Sequence, residues 1–258
     1  MIFFYSVLIF AIGICVGSFL NVCIYRLPKN KHIIISRSFC PKCKKKINWY
    51  DNLPIISFLF LSGKCRKCKK VISLRYIIVE LLTGIIFLSI FLSFDNLFSI
   101  IFLSILSLIF IIIFFIDLEN FIIPDSLNFS IIGLALIKNF LPNFNTNIIH
   151  EINQSIIGGI VGYLSIWIII FLYKTLKKID GMGLGDAKLM AGVGLLFGWQ
   201  SIPFILFVSS ILGLIFVIPS LLKKQKTMRT EIPFGPFIIL ACVIYFTYGN
   251  RIYELILV

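Results

Sequence analysis

Asp117 and Asp186 are the acids of this chain whose surroundings make a carboxylate hardest to explain. Asp117 stands in Phe114-Phe115-Ile116-Asp117-Leu118, directly after an apolar run. Asp186 follows the alternate glycines of Gly181-Met182-Gly183-Leu184-Gly185 and opens another apolar run. An ionisable group in or beside a membrane-length apolar segment is a functional candidate, because burying its charge is so costly. Two carboxylates that share a site can hold one proton between them, so that one takes a proton from water while the other gives one to a carbonyl oxygen. That is the chemistry of aspartic proteolysis. Each acid also has a simpler reading, Asp186 as a helix N-cap and Asp117 as an interfacial loop acid. The Gly181–Gly185 run spells like a nucleotide loop, but such a loop follows a strand, and here a basic, amphipathic helix end precedes it. The glycines fit close backbone approach or positive φ instead. Among the other acids, Asp125 with Ser126 after Pro124 suits a helix cap. Glu80 lies early in an apolar segment, whereas Asp51, Asp95, Glu151, Asp180, Glu231 and Glu254 fall in loops or the tail.

Four of the seven cysteines form a second constellation. Cys40-Pro41-Lys42-Cys43 and Cys65-Arg66-Lys67-Cys68 are two C-x-x-C turns about 21 residues apart, the spacing of a structural zinc ribbon. Each turn offers two thiolates, and two turns close a tetrahedron around Zn²⁺. All four positions would then be protein sulfur, so the metal would be structural. Lys44, Lys45, Lys46, Arg66, Lys67, Lys69 and Lys70 would offset the negative charge of the centre. Two disulfides, or unrelated thiols, are the alternative, which a reducing compartment disfavours. Cys15, Cys23 and Cys242 lie in or beside apolar segments and read as small hydrophobes.

These residues must be positioned by membrane helices. The chain has 258 residues, 59% hydrophobic with 27 Phe, and a mean hydropathy of +1.04; soluble domains lie nearer about 45–50% apolar. The reading is an all-α polytopic membrane protein, with spans near 3–25, 76–94, 98–116, 127–142, 154–173, 187–199, 201–221 and 234–257. Residues 1–25 make a first span, retained because no basic stretch precedes it and no small-residue cleavage site follows it. Residues 26–75 make a basic loop carrying the zinc-ribbon-like turns, and 76–258 a transmembrane core. Gly13 with Gly17, Gly158 with Gly162, and Gly194 with Gly198 are spaced for close helix packing. Of 24 Lys and Arg, 14 lie between Arg26 and Arg75, four between Lys174 and Lys188, and four between Lys223 and Arg229. Eight spans put all of these on one side and only Lys138 and Arg251 on the other. That basic side is cytoplasmic by the positive-inside rule, with both termini outside. The basic loop lacks aromatic interleaving and any nucleic-acid module, so anionic lipid headgroups, not nucleic acid, are its expected partner.

A series of short motifs occurs in order along the chain. They are Gly17-Ser18-Phe19-Leu20-Asn21-Val22 with Tyr25-Arg26-Leu27-Pro28; the paired C-x-x-C turns around Trp49-Tyr50-Asp51-Asn52-Leu53-Pro54; Arg75-Tyr76 to Val79-Glu80-Leu81; Ile116-Asp117 to Pro124-Asp125; Gly181 to Asp186; and Pro233-Phe234-Gly235-Pro236. Together they resemble the bacterial type IV prepilin peptidases, leader peptidase/N-methyltransferases of the GxGD-type intramembrane aspartic protease family. The resemblance implies that Asp117 and Asp186 are the catalytic pair. It implies removal of a short basic leader from type IV prepilins or pseudopilins, after a glycine, at the cytoplasmic face of the bacterial inner membrane. It also implies, for many members, N-methylation of the new terminus with S-adenosylmethionine. The competing expectation is a small transporter or assembly scaffold that uses the same acids for protons or cations. Transport acids, however, usually lie near the midplane between broken helices, and these two fall at one edge. Helix dipoles add a further expectation: Asp117 closes one helix and Asp186 opens another, which favours the shared proton on Asp117.

Overall fold

A computed structural model describes residues 2–32, 38–140, 152–178, 183–222 and 232–257. Asn145, Glu151, Asp180, Gly181, Met182, Lys224 and Glu231 lie outside the described residues. Among the described residues the fold is helical, with no strand beyond two isolated bridges. The helices are α1 (Ile2–Arg26), α2 (Ile56–Phe60), α3 (Arg75–Ser93), α4 (Leu97–Asn120), α5 (Asp125–Phe140), α6 (Ile152–Lys177), α7 (Leu184–Phe197), α8 (Ser201–Leu222) and α9 (Gly235–Leu257). All eight expected segments are helices. Five of them, α1, α3, α4, α6 and α8, are long and apolar enough to cross a membrane. The chain groups into two units, Met1–Ile112 and Ile113–Val258.

In the first unit α1 and α3 pack in a close pair, and the glycines explain why. A Cβ on Gly13 would lie 2.8 Å from Gly84 Cα, and one on Gly17 would lie 2.8 Å from Glu80 Cα. Without side chains there the backbones meet directly, the packing that apolar helices use when lipid offers no hydrophobic drive. The Nδ2 of Asn21 crosses the seam to the Tyr76 carbonyl at 3.0 Å.

The second unit is built around α7, which packs against α5, α6, α8 and α9. This helix is 14 residues long, about 21 Å at ~1.5 Å per residue, against a hydrocarbon thickness of about 30 Å. Beyond Lys188 it is apolar and nearly enclosed, with Leu189, Met190 and Val193 fully buried. Close approach to α6 again depends on glycine: a Cβ on Gly158 or Gly194 would collide with the other's backbone, and one on Gly162 with the Met190 carbonyl. Because α7 stops short, its last carbonyls must be satisfied without water. Lys138 Nζ donates to the Leu196 carbonyl at 2.5 Å and the Ser155 hydroxyl to that of Leu195 at 2.5 Å.

Candidate active site

Asp117 lies inside α4, which runs on to Asn120, past the expected edge at Ile116. Phe121, at φ 57°, ends the helix in the left-handed region and returns its N–H to the Asp117 carbonyl at 2.9 Å. The short link Phe121–Pro124 then enters α5 with the Pro124 carbonyl accepting from the N–H of Leu127 and Asn128. Asp125 therefore does not stand before the helix as its cap. It is the first helical residue, and its Oδ1 receives Lys188 Nζ from α7 at 2.7 Å. On α7, Gly183 is the extended N-cap residue at φ −80° and ψ 147°, and Asp186 sits in the first turn, with its own N–H on the Gly183 carbonyl at 3.2 Å.

The structure brings Asp117 and Asp186 together. Both are buried, at 4% and 9% exposure, and the Gly185 turn before Asp186 and the Gly235 that bonds Asp117 pack on one residue. Ile123 sits between the two motifs: a Cβ on Gly185 would lie 3.2 Å from Ile123 Cβ, and one on Gly235 would lie 3.0 Å from Ile123 Cδ1. Two further residues complete the cluster. Gly235, the first residue of α9, donates its N–H to Asp117 Oδ2 at 2.9 Å. Asn128, fully buried on α5, donates Nδ2 to the Gly185 carbonyl at 3.2 Å and so fixes the backbone next to Asp186. The Gly235 bond alters the dipole argument, because an N-terminal helix end now faces Asp117 as well as Asp186. The asymmetry expected from α4 and α7 alone loses its basis.

Residue type announces neither addition. Gly235 stands in the Pro-Phe-Gly-Pro motif, and its signal is a glycine at a helix start where Pro follows. Asn128 has a weaker signal, an amide beside the apolar Leu127 and Ile131 of α5.

The first unit carries the cysteine cluster. The Sγ atoms of Cys40, Cys43, Cys65 and Cys68 all lie within 4.8 Å of one another, placed to hold a metal ion. Cys40 Sγ and Cys68 Sγ are 3.9 Å apart, close to the edge of about 3.8 Å that Zn–S bonds of ~2.3 Å give a tetrahedron. The two turns repeat each other. Lys44 and Lys69, each at φ 57°, send their N–H back to the carbonyls of Cys40 and Cys65 at 2.8 and 2.9 Å. The N–H groups of Cys68 and Lys67 hold the Cys65 thiol down, at about 7. The Lys70 N–H pulls the Cys68 thiol down too, but desolvation and the neighbouring sulfurs outweigh it and carry Cys68 to about 11. Between the turns, Arg66 grips Asp51 through Nε and Nη2, at 3.0 and 2.8 Å to Oδ1. Glu80 of α3 takes the Ile55 N–H on Oε2 at 2.8 Å and a bond from Ser18.

Residues 11–94 match the bacterial peptidase A24 N-terminal domain, and residues 104–218 match the type IV leader peptidase family. The prepilin leader peptidase/N-methyltransferase of Vibrio cholerae is 37% identical over 255 residues, covering 95% of this chain and 98% of that one. The protein of that name from Dichelobacter nodosus is 34% identical over 280 residues, covering 96% and 94%, and that from Pseudomonas aeruginosa 31% over 264 residues, covering 93% and 89%. The chain belongs to the type IV leader peptidase family. Membership decides the enzyme over the transporter, and several apolar helices fit an inner-membrane protein of that family. No solved structure gives a significant match.

Proposed function

We propose that Asp117 and Asp186 are the catalytic pair of a prepilin peptidase that cuts the leader of type IV prepilins or pseudopilins after glycine, at the cytoplasmic membrane face. The observation that carries this reading is two buried carboxylates, one from the last turn of α4 and one from the first turn of α7, whose motifs close on the same Ile123. One carboxylate takes a proton from a water held between them, and the water oxygen attacks the scissile carbonyl. The other gives its proton to the carbonyl oxygen, and collapse of the tetrahedral intermediate returns a proton to the leaving amine. Gly235 N–H holds Asp117 Oδ2, leaving the other oxygen to face the reactants. Asn128 holds the Gly185 carbonyl and with it the turn that presents Asp186.

Zn²⁺ is the metal we assign to the four thiolates on two tight turns, and it would fold the loop without entering the reaction. The basic loop rests on anionic lipid headgroups. N-methyl transfer stands on the relatives' printed names, and S-adenosylmethionine as donor with the new terminus as acceptor is what the resemblance implies.

Co-expression with a pilin precursor, scored by the gel mobility of the shortened product, tests the dyad. Asp117→Asn and Asp186→Asn each abolish leader removal while the protein still inserts. Cleavage persisting in either variant refutes the assignment. A methyl label from S-adenosylmethionine on the cleaved pilin should survive both substitutions when pre-cleaved pilin is supplied, and no label under active-cleavage conditions removes the second activity.

A further inference from the structure

Between the two cysteine turns lies Trp49-Tyr50-Asp51-Asn52-Leu53-Pro54-Ile55-Ile56-Ser57-Phe58-Leu59-Phe60, a 3₁₀ turn (Trp49–Asn52) and α2 joined by a tight bend. Its apolar side chains point the wrong way for a small water-soluble lobe. Phe58 turns inward under Gly63, but Trp49 is 79% and Phe60 85% exposed, with Tyr50, Leu53, Ile56 and Leu59 exposed beside them. A contiguous apolar patch of this kind, rimmed by charge, marks an interaction surface.

The mounting of this segment says where it lies. At the bend, Ile55 has φ 58° and ψ −51°, and Ile56 N–H reaches the Pro54 carbonyl at 2.5 Å. This is a three-residue turn in a conformation that a β-branched residue almost never adopts. The Glu80 carboxylate holds the Ile55 N–H at 2.8 Å. Glu80 is the sixth residue of α3, about 7.5 Å along the axis from Arg75 at ~1.5 Å per residue. Arg26 and Arg75, at the adjoining ends of α1 and α3, mark the headgroup level. The bend is therefore tied to the membrane pair, close to that level. Arg66 fixes the other end of the segment through Asp51.

We propose that Trp49–Phe60 is an interfacial wedge whose exposed aromatic and aliphatic side chains enter the boundary between headgroups and acyl chains of an anionic bilayer, with the cysteine turns as its rigid frame. Nine of the 24 Lys and Arg lie between Cys40 and Val71, so the frame attracts anionic headgroups and repels a basic peptide. Trp and Tyr suit this depth, having an apolar body and a polar edge. The wedge deepens the reading that the basic loop rests on lipid, and it is independent of the peptidase chemistry, which the following measurement does not sample.

The full-length protein carrying Trp167→Phe and Trp199→Phe, with Trp49 as its remaining tryptophan, is reconstituted into vesicles of phosphatidylcholine with or without phosphatidylglycerol. Loss of Trp49 emission is expected with lipids brominated near the headgroup end of the chain, less with bromine deeper, together with shielding from aqueous iodide. Emission quenched by iodide and untouched by brominated lipid overturns the wedge. So does shielding that develops only when a pilin precursor is added, which assigns the surface to substrate. Fluorotryptophan in the unsubstituted chain, with Trp49→Phe to assign its resonance and a paramagnetic lipid as the probe, gives the same reading should the double variant fold poorly.

Discussion

Gly235 contributes a backbone N–H and the lack of a side chain, and Asp117 needs both. A methyl group there would sit 2.9 Å from Asp117 Oδ2 and 3.0 Å from Ile123 Cδ1, so the carboxylate or the start of α9 must shift. Misplacing a reacting group by about 1 Å can cost ~10²-fold in rate. Gly235→Ala should therefore slow leader removal by about that factor with insertion unchanged, as measured by the rate of precursor shortening in membranes. At the cysteine cluster the sign follows from the thiols. Metal binding requires thiolates. Cys65, held at about 7 by the N–H groups of Cys68 and Lys67, is charged above that pH and protonated below it, while Cys68, at about 11, must be stripped of its proton by the metal itself. Zinc should be released to a chelator faster at about pH 6 than at about pH 8, and metal analysis should find about one zinc per chain, lost when Cys40 and Cys65 become Ser. At this scale the sequence shows residues whose type is costly in its setting. The carboxylates and thiols were visible for that reason, whereas a backbone donor such as Gly235 has no side chain to betray it.

The elements differ in what holds them. Most helices here are apolar on every side, so the length of the apolar runs locates them but does not say which face is inside. Their ends were placed by charge and proline, and hydrogen bonding moved them. Thus α4 continues to Asn120 until Phe121 turns left-handed, and Asp125 gives up capping for Lys188 because the Pro124 carbonyl already opens α5. The glycine pairs were legible as packing, and the seam between α6 and α7 is the place to test that. Gly194→Ala puts a methyl into the Gly158 backbone, and overpacking of this kind costs about 1–3 kcal/mol or more. Gly133 in α5 has nothing within 4 Å of its would-be Cβ, so Gly133→Ala should be neutral or gain up to ~1 kcal/mol. Thermal unfolding in detergent should separate the two, with Gly194→Ala melting lower and Gly133→Ala unchanged or higher.

For the molecule as a whole, charge is the only guide to sidedness. The distribution of Lys and Arg predicts Lys44 and Lys224 in the cytoplasm and Asn145 outside. Cysteine labelling on a background free of native thiols checks this, and an Asn145 probe shielded from outside reagent while a Lys224 probe reacts would invert the orientation. The short α7 has a consequence of another kind. Asn128 ties its first turn, Lys138 and Ser155 close its last, and glycine seams grip its flank. Local opening needs a segment that can leave its neighbours without exposing orphaned amides, and α7 has no such freedom. Its amides from Lys188 to Leu196 should then be the last in Ile113–Val258 to exchange with deuterium, outlasting those of the longer α6 and α8. On the proposed chemistry, a peptide bond brought to Asp186 should meet a helix that does not move to receive it.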